Sequence, residues 1–369
     1  ESVLQIAPNA AAAYSLRSLT GGDPKVVRVR RSSDNTERDF SASGINSGAL
    51  ENFCDEATPA RNRTGGAKYS SFSTDGVTGF SAVCSAAAAA GYDIFGASST
   101  AVQVSFDIVL NSGSVSVQLR PEFETGSVVS NSVIIDSSGS KSFTLTSTAE
   151  FKALLFISGA TNFVVSNFSV NVPYNHSAFV ETWYDQSGNS KNAVQATAGS
   201  QPKIVNAGVL LADGIDFDGT NDELETTASI SGSNISGFVV ANLDGTAANS
   251  LYSIGNTKPN VLFGNPSLSY SLNGGAALSG GTAPTNTDAL FTQLFISGGT
   301  SKTFIDGGAI ASGNAGSNSA SSDKLTIGNL ESGNRFIDGS IKELIIYTSD
   351  QSANRPAIEA NIKNQYEIS

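Results

Sequence analysis

The residues best suited to chemistry in this sequence lie in two short polar runs. The first run, at 216–223, holds Asp216, Asp218, Asp222 and Glu223 around a glycine. Carboxylate oxygens are the hard ligands that Ca²⁺ prefers, although the spacing is not that of an EF-hand loop. The run therefore predicts either a site for calcium, the one candidate cofactor, or a solvated hairpin.

The second run, at 183–189, contains Trp183, Tyr184, Asp185 and Asn189, and Trp183 is the only tryptophan of the chain. An aromatic ring can stack on a sugar, and the Asp and Asn oxygens can bind a cation or sugar hydroxyls. The same residue types also make ordinary turns, and a lone tryptophan on a strand packs well in a core. These four residues are carbohydrate-binding candidates, with a core and a turn as the alternative interpretation.

A basic run adds a third candidate site. Its cationic side chains are Arg28, Arg30 and Arg31. They would suit an anionic glycan, but three carboxylates follow within a few residues, at Asp34, Glu37 and Asp39. We expect internal ion pairs there rather than a ligand site.

Several kinds of chemistry are excluded or disfavoured. His176 is the only histidine, which excludes a Ser-His-Asp triad and a multi-histidine metal site. Glycine-rich stretches such as 272–275 lack the Lys-Ser/Thr pair that completes a phosphate-binding loop. The formal net charge of −12 would repel phosphates, so we expect no nucleic-acid partner.

Composition favours many short strands as the elements that position these residues. Only 15% of residues are charged, and Gly, Ser, Thr and Asn are abundant, as in all-β proteins with polar turns. No apolar run approaches the roughly 18 residues that span a bilayer, so we expect no membrane insertion. Cys54 and Cys84 are too few for a disulfide framework, although one bridge between them remains open. The chain begins at Glu1 without a signal-like segment, which indicates a mature or excised piece of a longer protein.

Periodicity locates several elements along the chain. Residues 25–31 alternate apolar and basic, which predicts a half-buried strand, and Asn9 before an alanine run predicts a short helix to Leu19. Between residues 58 and 173, strand-length segments alternate with turn clusters at the spacing of a sandwich. Ile358, Ile362 and Tyr366 are spaced i, i+4, i+8, which predicts an amphipathic helix over 352–366.

Three stretches of the sequence carry a resemblance to a known family. They read AYSLR at 13–17 with VRVRRSSDN at 27–35, TWYDQSGN at 182–189, and IKELIIY at 341–347 before the last helix. Together they resemble a module of phage tail and other surface proteins. That module is similar to the catalytic domain of the fungal α-L-arabinofuranosidase B family and to laminin-G or concanavalin-type sandwiches.

The resemblance implies a fold and a domain arrangement. Residues 1–56 and 177–369 would form one discontinuous concanavalin/laminin-G-like β-sandwich of the jelly-roll type, with a short N-terminal and an amphipathic C-terminal helix. The first two stretches normally lie close together, but here about 120 residues separate them. Residues 57–176 are therefore expected to form an inserted second β-sandwich, which resembles a carbohydrate-binding jelly roll.

The resemblance also makes the enzymatic alternative testable. A retaining glycosidase needs two carboxylates about 5–5.5 Å apart. The family's nucleophilic Glu precedes a Gly-Asn pair, and the nearest stretch here, at 258–265, contains no carboxylate. The family's acid follows an Ile-Gly pair, where this chain offers only Glu331, slightly displaced. An unrecognised pair would have to combine Glu331 with Asp323 or Asp338.

These expectations combine into one leading functional hypothesis. The chain would be a non-enzymatic adhesion or structural protein of a virion tail or fibre, located in the virion or on an extracellular surface. Its partners would be host surface glycan or other virion proteins, and fibres are usually built as homotrimers. The alternatives are a glycoside hydrolase of arabinofuranosidase-like fold and a bacterial secreted or cell-surface lectin.

Overall fold

The protein is built mainly of antiparallel β-strands, as a computed structural model shows. It describes residues 1–55, 69–74, 80–84, 88–96, 101–121, 127–158, 162–171, 176–244, 249–255, 260–264, 269–330 and 335–369. Within these ranges the chain forms 30 strands and four α-helices, and the all-β sandwich class expected from the sequence is confirmed. No helix in the same ranges is long and apolar enough to cross a membrane.

The chain divides into two compact units, and one interrupts the other in sequence. The first unit comprises Glu1–Glu51 and Ser177–Ser369, and the second comprises Asn52–His176. The segment that the sequence marks as an insertion, 57–176, falls within the second unit.

The amino-terminal part of the first unit contributes short helices and three strands. They are α1 (Val3–Ile6), β1 (Ala12–Ser15), β2 (Lys25–Arg31), β3 (Glu37–Ser41) and α2 (Ala42–Asn46), followed by α3 (Ala49–Asp55) across the boundary. Strand β2 has the predicted limits. Its side chains also alternate as expected, since Val27 and Val29 are fully buried while Arg28 and Arg30 are half-buried. Cys54 is buried in α3, whereas the side chain of Cys84 lies outside the described residues, so a bridge between them remains a prediction.

The second unit contains two antiparallel sheets. Its strands are β4 (Tyr69–Thr74), β5 (Phe80–Cys84), β6 (Ala88–Gly96), β7 (Ala101–Leu110), β8 (Val115–Arg120), β9 (Val133–Ile135), β10 (Gly139–Thr146), β11 (Phe151–Ser158) and β12 (Asn162–Asn171). They pair in the orders β10-β7-β12-β5-β4 and β6-β11-β8-β9. Apolar residues from both sheets share one core, in which the rings of Phe106 on β7 and Phe156 on β11 lie 5.0 Å apart. This sharing makes the unit a sandwich.

The rest of the first unit contains eighteen strands among the described residues, a 3-10 turn at Ala198–Ser200 and one helix. The first nine strands are β13 (Ala178–Trp183), β14 (Ala193–Val194), β15 (Lys203–Asn206), β16 (Val209–Leu210), β17 (Ile215–Asp218), β18 (Leu224–Thr226), β19 (Ile230–Gly232), β20 (Asn234–Leu243) and β21 (Asn249–Ile254). The others are β22 (Asn260–Gly264), β23 (Ser269–Asn273), β24 (Ala277–Thr282), β25 (Asp288–Ile296), β26 (Ser301–Ile305), β27 (Gly308–Gly313), β28 (Ala320–Asp323), β29 (Leu325–Ile327) and β30 (Asp338–Tyr347), with helix α4 at Arg355–Tyr366.

Strand pairing arranges the first unit in two facing layers. One layer runs β27-β26-β25-β20-β30, and both β1 and β17 pair along the free edge of β30. The other runs β3-β2-β13-β14-β18-β29-β21-β22-β23-β24. Strand β15 pairs with both β13 and β17 and so joins the layers. Tyr252 on β21 accepts a hydrogen bond from Gln293 on β25, which shows that the two layers pack face to face.

The N-terminal helix predicted over Asn9–Leu19 is wrong in position. Residues Ala12–Ser15 form β1, which pairs with β30 from Ala12↔Ile346 to Ser15↔Glu343, and all four residues are buried. Alanine has the highest helix propensity, but propensity is a weak determinant of structure, so burial and pairing at a sheet edge outweigh it. The short N-terminal helix is α1 instead.

The C-terminal helix is confirmed. Helix α4 lies within the predicted segment 352–366, and Ile358 and Ile362 are fully buried. They share a core with α1 and with apolar residues of β20, β25 and β30, so α4 covers the outer face of that layer. Arg355 stacks over the ring of Phe304, 4.0 Å from its centroid, at the start of the helix.

Candidate functional site

Trp183 is a core residue and not a sugar-binding platform. Its side chain is fully buried, and its ring centroid lies 5.6 Å from that of Tyr14 on β1. A ring with no exposed face cannot stack on a ligand, so the stacking alternative is wrong for this residue. The indole Nε1 has no hydrogen-bond partner among the described residues.

Asp185 organises a turn, as its residue type allows. Its carboxylate accepts hydrogen bonds from the backbone N–H groups of Ala13, Ser187 and Lys191 at 2.9–3.0 Å, and from the Ser187 hydroxyl at 2.8 Å. Four donors occupy both carboxylate oxygens, so little capacity remains for a ligand. The ligand role predicted for Asp185 is therefore replaced by a structural one.

Asn189 and Gln186 extend the same turn to the N-terminal segment. The Asn189 amide donates to the carbonyls of Ala10 and Ala11, at 2.8 and 3.2 Å. The buried Gln186 side chain accepts from the Leu19 backbone N–H and donates to the carbonyl of Ser15. The predicted turn thus connects the end of β13 to β1 and its flanking residues by hydrogen bonds.

Tyr184 belongs to an ion-pair cluster on β2 and β3. Its hydroxyl donates to Asp39 at 2.7 Å, and Lys25 and Arg28 reach the same carboxylate at 2.8 Å. Burial alone would raise the pKa of Asp39, but these donors outweigh it and lower the pKa to about 2. The internal pairing expected of the basic run is confirmed for Arg28.

The other two arginines of that run also have partners within the chain. Arg31 pairs with Asp34 at 2.7 Å. Arg30 instead donates to the side-chain oxygens of Gln201 and Asn35 and lies over the ring of Phe179. None of the three guanidinium groups is left as a dedicated anion site.

The acidic run does not form the predicted calcium site. Among the described residues, no group of three Asp, Glu, His or Cys side chains is arranged to hold a metal ion. Asp218 accepts from the backbone N–H groups of Thr220 and Asn221, and Glu223 accepts from the Asn329 amide. The carboxylates of Asp218 and Glu223 are thus engaged in local structure rather than in a common centre.

The hairpin alternative for this run is wrong as well. Strand β17 pairs with β15 and β30, whereas β18 pairs with β14 and β29, so the run crosses between layers. Asp222 is only 6% exposed in this crossing. Burial, then the charges of Asp218 and Asp216, raise its pKa to about 6, and burial also raises the pKa of Asp216.

Both candidate catalytic pairs include Glu331, which lies outside the described residues, so a pair with Asp323 or Asp338 stays a prediction. Asp323 ends β28 and accepts from the Ser321 backbone N–H, in a small separate sheet with β19. Asp338 begins β30 opposite Asp218, and its charge adds to burial, the main cause, in raising the pKa of Asp244 and Asp216.

A polar groove lies beside the turn that Asn189 closes, and we call it the Asn189 groove. It has a volume of about 500 Å³, within the usual range for ligand sites. Its lining residues are Asn9, Ala10, Ala11, Ser187, Asn189, Lys191, Ser229, Ile230, Ser231 and Thr348. Neither a carboxylate nor an aromatic ring is among these ten residues.

Four elements position the walls of the groove. The turn of Asn189 forms one wall and the segment before β1 forms the next, with Asn9 in the left-handed region at φ 66°. Strand β19 forms the opposite wall, close to Thr348, the residue that follows β30. A Cβ added to Gly232 would lie 2.7 Å from the Cβ of Thr348, so only glycine allows this approach.

Several polar groups in the groove remain available to a ligand. The side chains of Asn9, Lys191, Ser229 and Thr348 make no hydrogen bond within the described part of the chain. Ser231 accepts one from the Ser322 backbone N–H and keeps its own proton. The groove can therefore offer an amine, an amide and hydroxyls at once.

Sequence reasoning identified one side of this groove and missed the other. Asn189 was a candidate, and Lys191 follows it by two residues. Ser229 and Thr348 lie far away in sequence and in no motif. Only the close approach of β19 to the end of β30 brings them to the groove, and no local pattern carries that information.

A second, smaller cleft lies on the second unit. It has a volume of about 280 Å³ and is lined by Ser105, Phe106, Asp107, Ser140, Lys141, Ser142 and Asn167. Asp107 accepts from the Ser140 hydroxyl at 2.5 Å and from the Asn167 amide at 2.7 Å. Asn167 sits in a bulge of β12 at φ 50°, which turns its amide toward Asp107.

Comparisons with known proteins give only distant similarities. No protein-family model and no curated protein sequence matches the chain. A Trypanosoma rangeli sialidase is similar at 10% identity and a TM-score of 0.37, over 50% of this chain and 31% of that one. A Bacteroides ovatus protein, proposed to bind carbohydrate, is similar at 12% identity and a TM-score of 0.33, over 74% and 78%.

A toxin domain is similar to a comparable degree. The ligand-binding domain of botulinum neurotoxin serotype D, solved with N-acetylneuraminic acid, has 14% identity and a TM-score of 0.35. The similarity covers 50% of this chain and 48% of that one. This chain thus spans about a third of the sialidase and about half of the neurotoxin domain.

Proposed function

We propose that this chain is a non-enzymatic adhesion protein of a virion tail or fibre and that the Asn189 groove binds host surface carbohydrate. The single observation that carries the binding role is the chemistry of the groove. Its available groups are hydroxyls, an amide and an amine, which are the donors and acceptors that sugar hydroxyls need. The virion assignment rests on the resemblance of the three sequence stretches to a phage tail module.

The same lining favours binding over hydrolysis. A glycosidase places two carboxylates on either side of the bond that it cleaves. The ten groove residues include neither Asp nor Glu. A sugar held there would meet hydrogen-bonding groups but no acid, base or nucleophile of the glycosidase type.

The groove also implies weak binding at each site. It has no aromatic platform, so recognition would depend on hydrogen bonds that largely replace those with water. Linking several copies, as in a fibre trimer, can raise overall affinity by about 10²–10⁴ without any new contact. Adhesion by this chain would therefore depend on display in several copies.

A glycan array with the protein displayed in multiple copies tests the proposal. We expect binding to a defined set of surface glycans that is abolished by Ser229→Trp, because the indole would fill the groove from an exposed position. Ser312→Trp is the matched control, since Ser312 is exposed on β27 outside the groove. An array without hits, or hits equally retained by Ser229→Trp, would contradict the proposal.

A further inference from the structure

Lys191 gives the Asn189 groove a charge that sets it apart from the rest of the molecule. The chain has a formal net charge of −12, yet the ten groove residues include one cation and no anion. Lys191 is therefore the one charged side chain among the residues that line the groove. Such a site favours a negatively charged ligand group and discriminates against a cationic one.

Lys191 has no ion-pair partner among the described residues. Several other cations of the first unit are paired with carboxylates, as in Arg17 with Glu343, Arg31 with Asp34 and Lys324 with Glu225. The nearest carboxylate in sequence, Asp185, does not line the groove and already accepts four hydrogen bonds. The ammonium of Lys191 is thus available for a ligand.

The backbone of Lys191 is fixed on both sides, which reduces the entropic cost of binding. Its N–H donates to Asp185 at 3.0 Å, and its carbonyl accepts from the hydroxyl of the fully buried Tyr14. Only the side chain has to be ordered when a ligand arrives. A preorganised backbone leaves more of the interaction free energy for affinity.

Hydroxyl groups beside the ammonium complete a site for a charged sugar. Ser229 and Thr348 line the same groove and make no hydrogen bond within the described chain. A carboxylate or sulfate could accept from Lys191 and from one of these hydroxyls, while sugar hydroxyls meet the Asn9 amide. We infer that the groove selects an anionic sugar residue, a uronic acid or a sulfated sugar, with Lys191 as its counter-ion. The inference rests on the proposed function and specifies its ligand.

Matched pairs of probes test the inference on the full-length chain in multiple copies. The first pair is an oligogalacturonate and its methyl-esterified form, which keeps the hydroxyls and loses the charge. The second is a sulfated galactan oligosaccharide and its desulfated form. We expect the charged member of at least one pair to bind about tenfold more tightly, as one charge-assisted contact allows. The pair that shows the difference identifies the anionic group.

Variants then assign the preference to one side chain. Lys191→Gln should abolish the preference and Lys191→Arg should retain most of it. Lys302→Gln removes an equal charge from an exposed position on β26 and should change nothing. Equal binding of charged and uncharged members, or a preference that survives Lys191→Gln, would overturn the inference.

The design separates this inference from the proposed function. Glycan binding that Ser229→Trp abolishes, without a preference for the charged member of either probe pair, would leave carbohydrate binding standing and refute the anionic ligand. Failure of every glycan on the array and of both probe pairs would instead remove the proposed function, and the inference with it.

Discussion

At the scale of single residues, buried carboxylates of the first unit fall into two kinds. Glu343 is fully buried but receives two hydrogen bonds from Arg17, at 2.7 and 2.9 Å. Asp222 is nearly as buried, and burial with the charges of Asp218 and Asp216 outweighs the hydrogen bond from the Asp218 N–H and the charge of Lys203. The charge of Glu343 is thus paired, whereas that of Asp222 is disfavoured, so the two respond to pH and mutation in different ways.

Asp222→Asn should stabilise the first unit at neutral pH. The folded-state pKa of about 6 exceeds the unfolded value of about 3.9, so the native state binds the proton more tightly. Stability is therefore lost as pH rises from about 4 to 6, and the substitution should restore about 2 kcal/mol at pH 7.5. Urea unfolding followed by the fluorescence of Trp183, the only tryptophan, measures this at pH 4.5 and 7.5.

Asp350→Asn provides the control for that experiment. Asp350 is exposed, accepts from the backbone N–H of Ser352, and is not among the charges that raise the pKa of Asp222, so its substitution should bring no gain. A lower urea midpoint for Asp222→Asn than for the wild-type chain at pH 7.5 would refute the assignment of a destabilising buried charge.

Gly237→Ala should destabilise the first unit because the two layers leave no room for a methyl group. An added Cβ would lie 2.0 Å from the Gln293 side-chain nitrogen and 2.5 Å from the Tyr252 hydroxyl. Overpacking of this kind costs about 1–3 kcal/mol. Gly22→Ala is the control, since its Cβ would meet nothing within 4 Å. Equal thermal midpoints for the two variants would show that the layers are not in contact at Gly237.

At the scale of elements, a buried polar network anchors α4 to β30. Tyr366, at the end of α4, donates to Glu343 on β30 at 3.0 Å, and Arg17 also donates to Asn361 on the helix. The helix is thus held by specific hydrogen bonds in addition to the apolar contacts of Ile358 and Ile362.

Arg17→Met should loosen this anchor by leaving the Glu343 charge unpaired. Breaking a buried pair on one side costs about 3–5 kcal/mol, whereas replacing both partners is often close to neutral. We expect a large fall in thermal stability for Arg17→Met and a partial recovery in the double variant with Glu343→Leu. Limited proteolysis of the C-terminal helix reports the local effect. A single variant as stable as the wild-type chain would count against a compensating pair.

The elements that sequence reasoning located correctly are those with strong internal periodicity. Strand β2 alternates buried valines with half-buried arginines, and α4 repeats isoleucine at helical spacing. In each case the local pattern alone is enough to predict the element. Strand β1 was missed because its alanines have no alternation, and its partner β30 lies over 300 residues away. The candidate site was predicted only in part for the same reason. Asn189 is in a local motif, whereas Ser229 and Thr348 reach the groove only through the close approach of β19 to the end of β30.

At the scale of the whole molecule, each unit has its own hydrophobic core. The second unit packs aromatic and β-branched residues of both its sheets into one cluster. The first unit has a separate cluster beneath α1 and α4. The chain passes between the units only at residues 51/52 and 176/177. Two cores with two crossings are the organisation expected of one domain inserted in another.

Residues 52–176 should therefore fold alone, and the first unit should fold without them. Replacement of this segment by a short Gly/Ser linker removes none of the residues that bury Trp183, because Tyr14, β2 and β13 all belong to the first unit. We expect blue-shifted Trp183 fluorescence and cooperative unfolding in the shortened chain, and a cooperative transition by circular dichroism in the isolated segment. Since the Asn189 groove is lined entirely by the first unit, glycan binding should persist in the shortened chain. A shortened chain with solvent-exposed Trp183 would mean that the first unit depends on the segment that interrupts it.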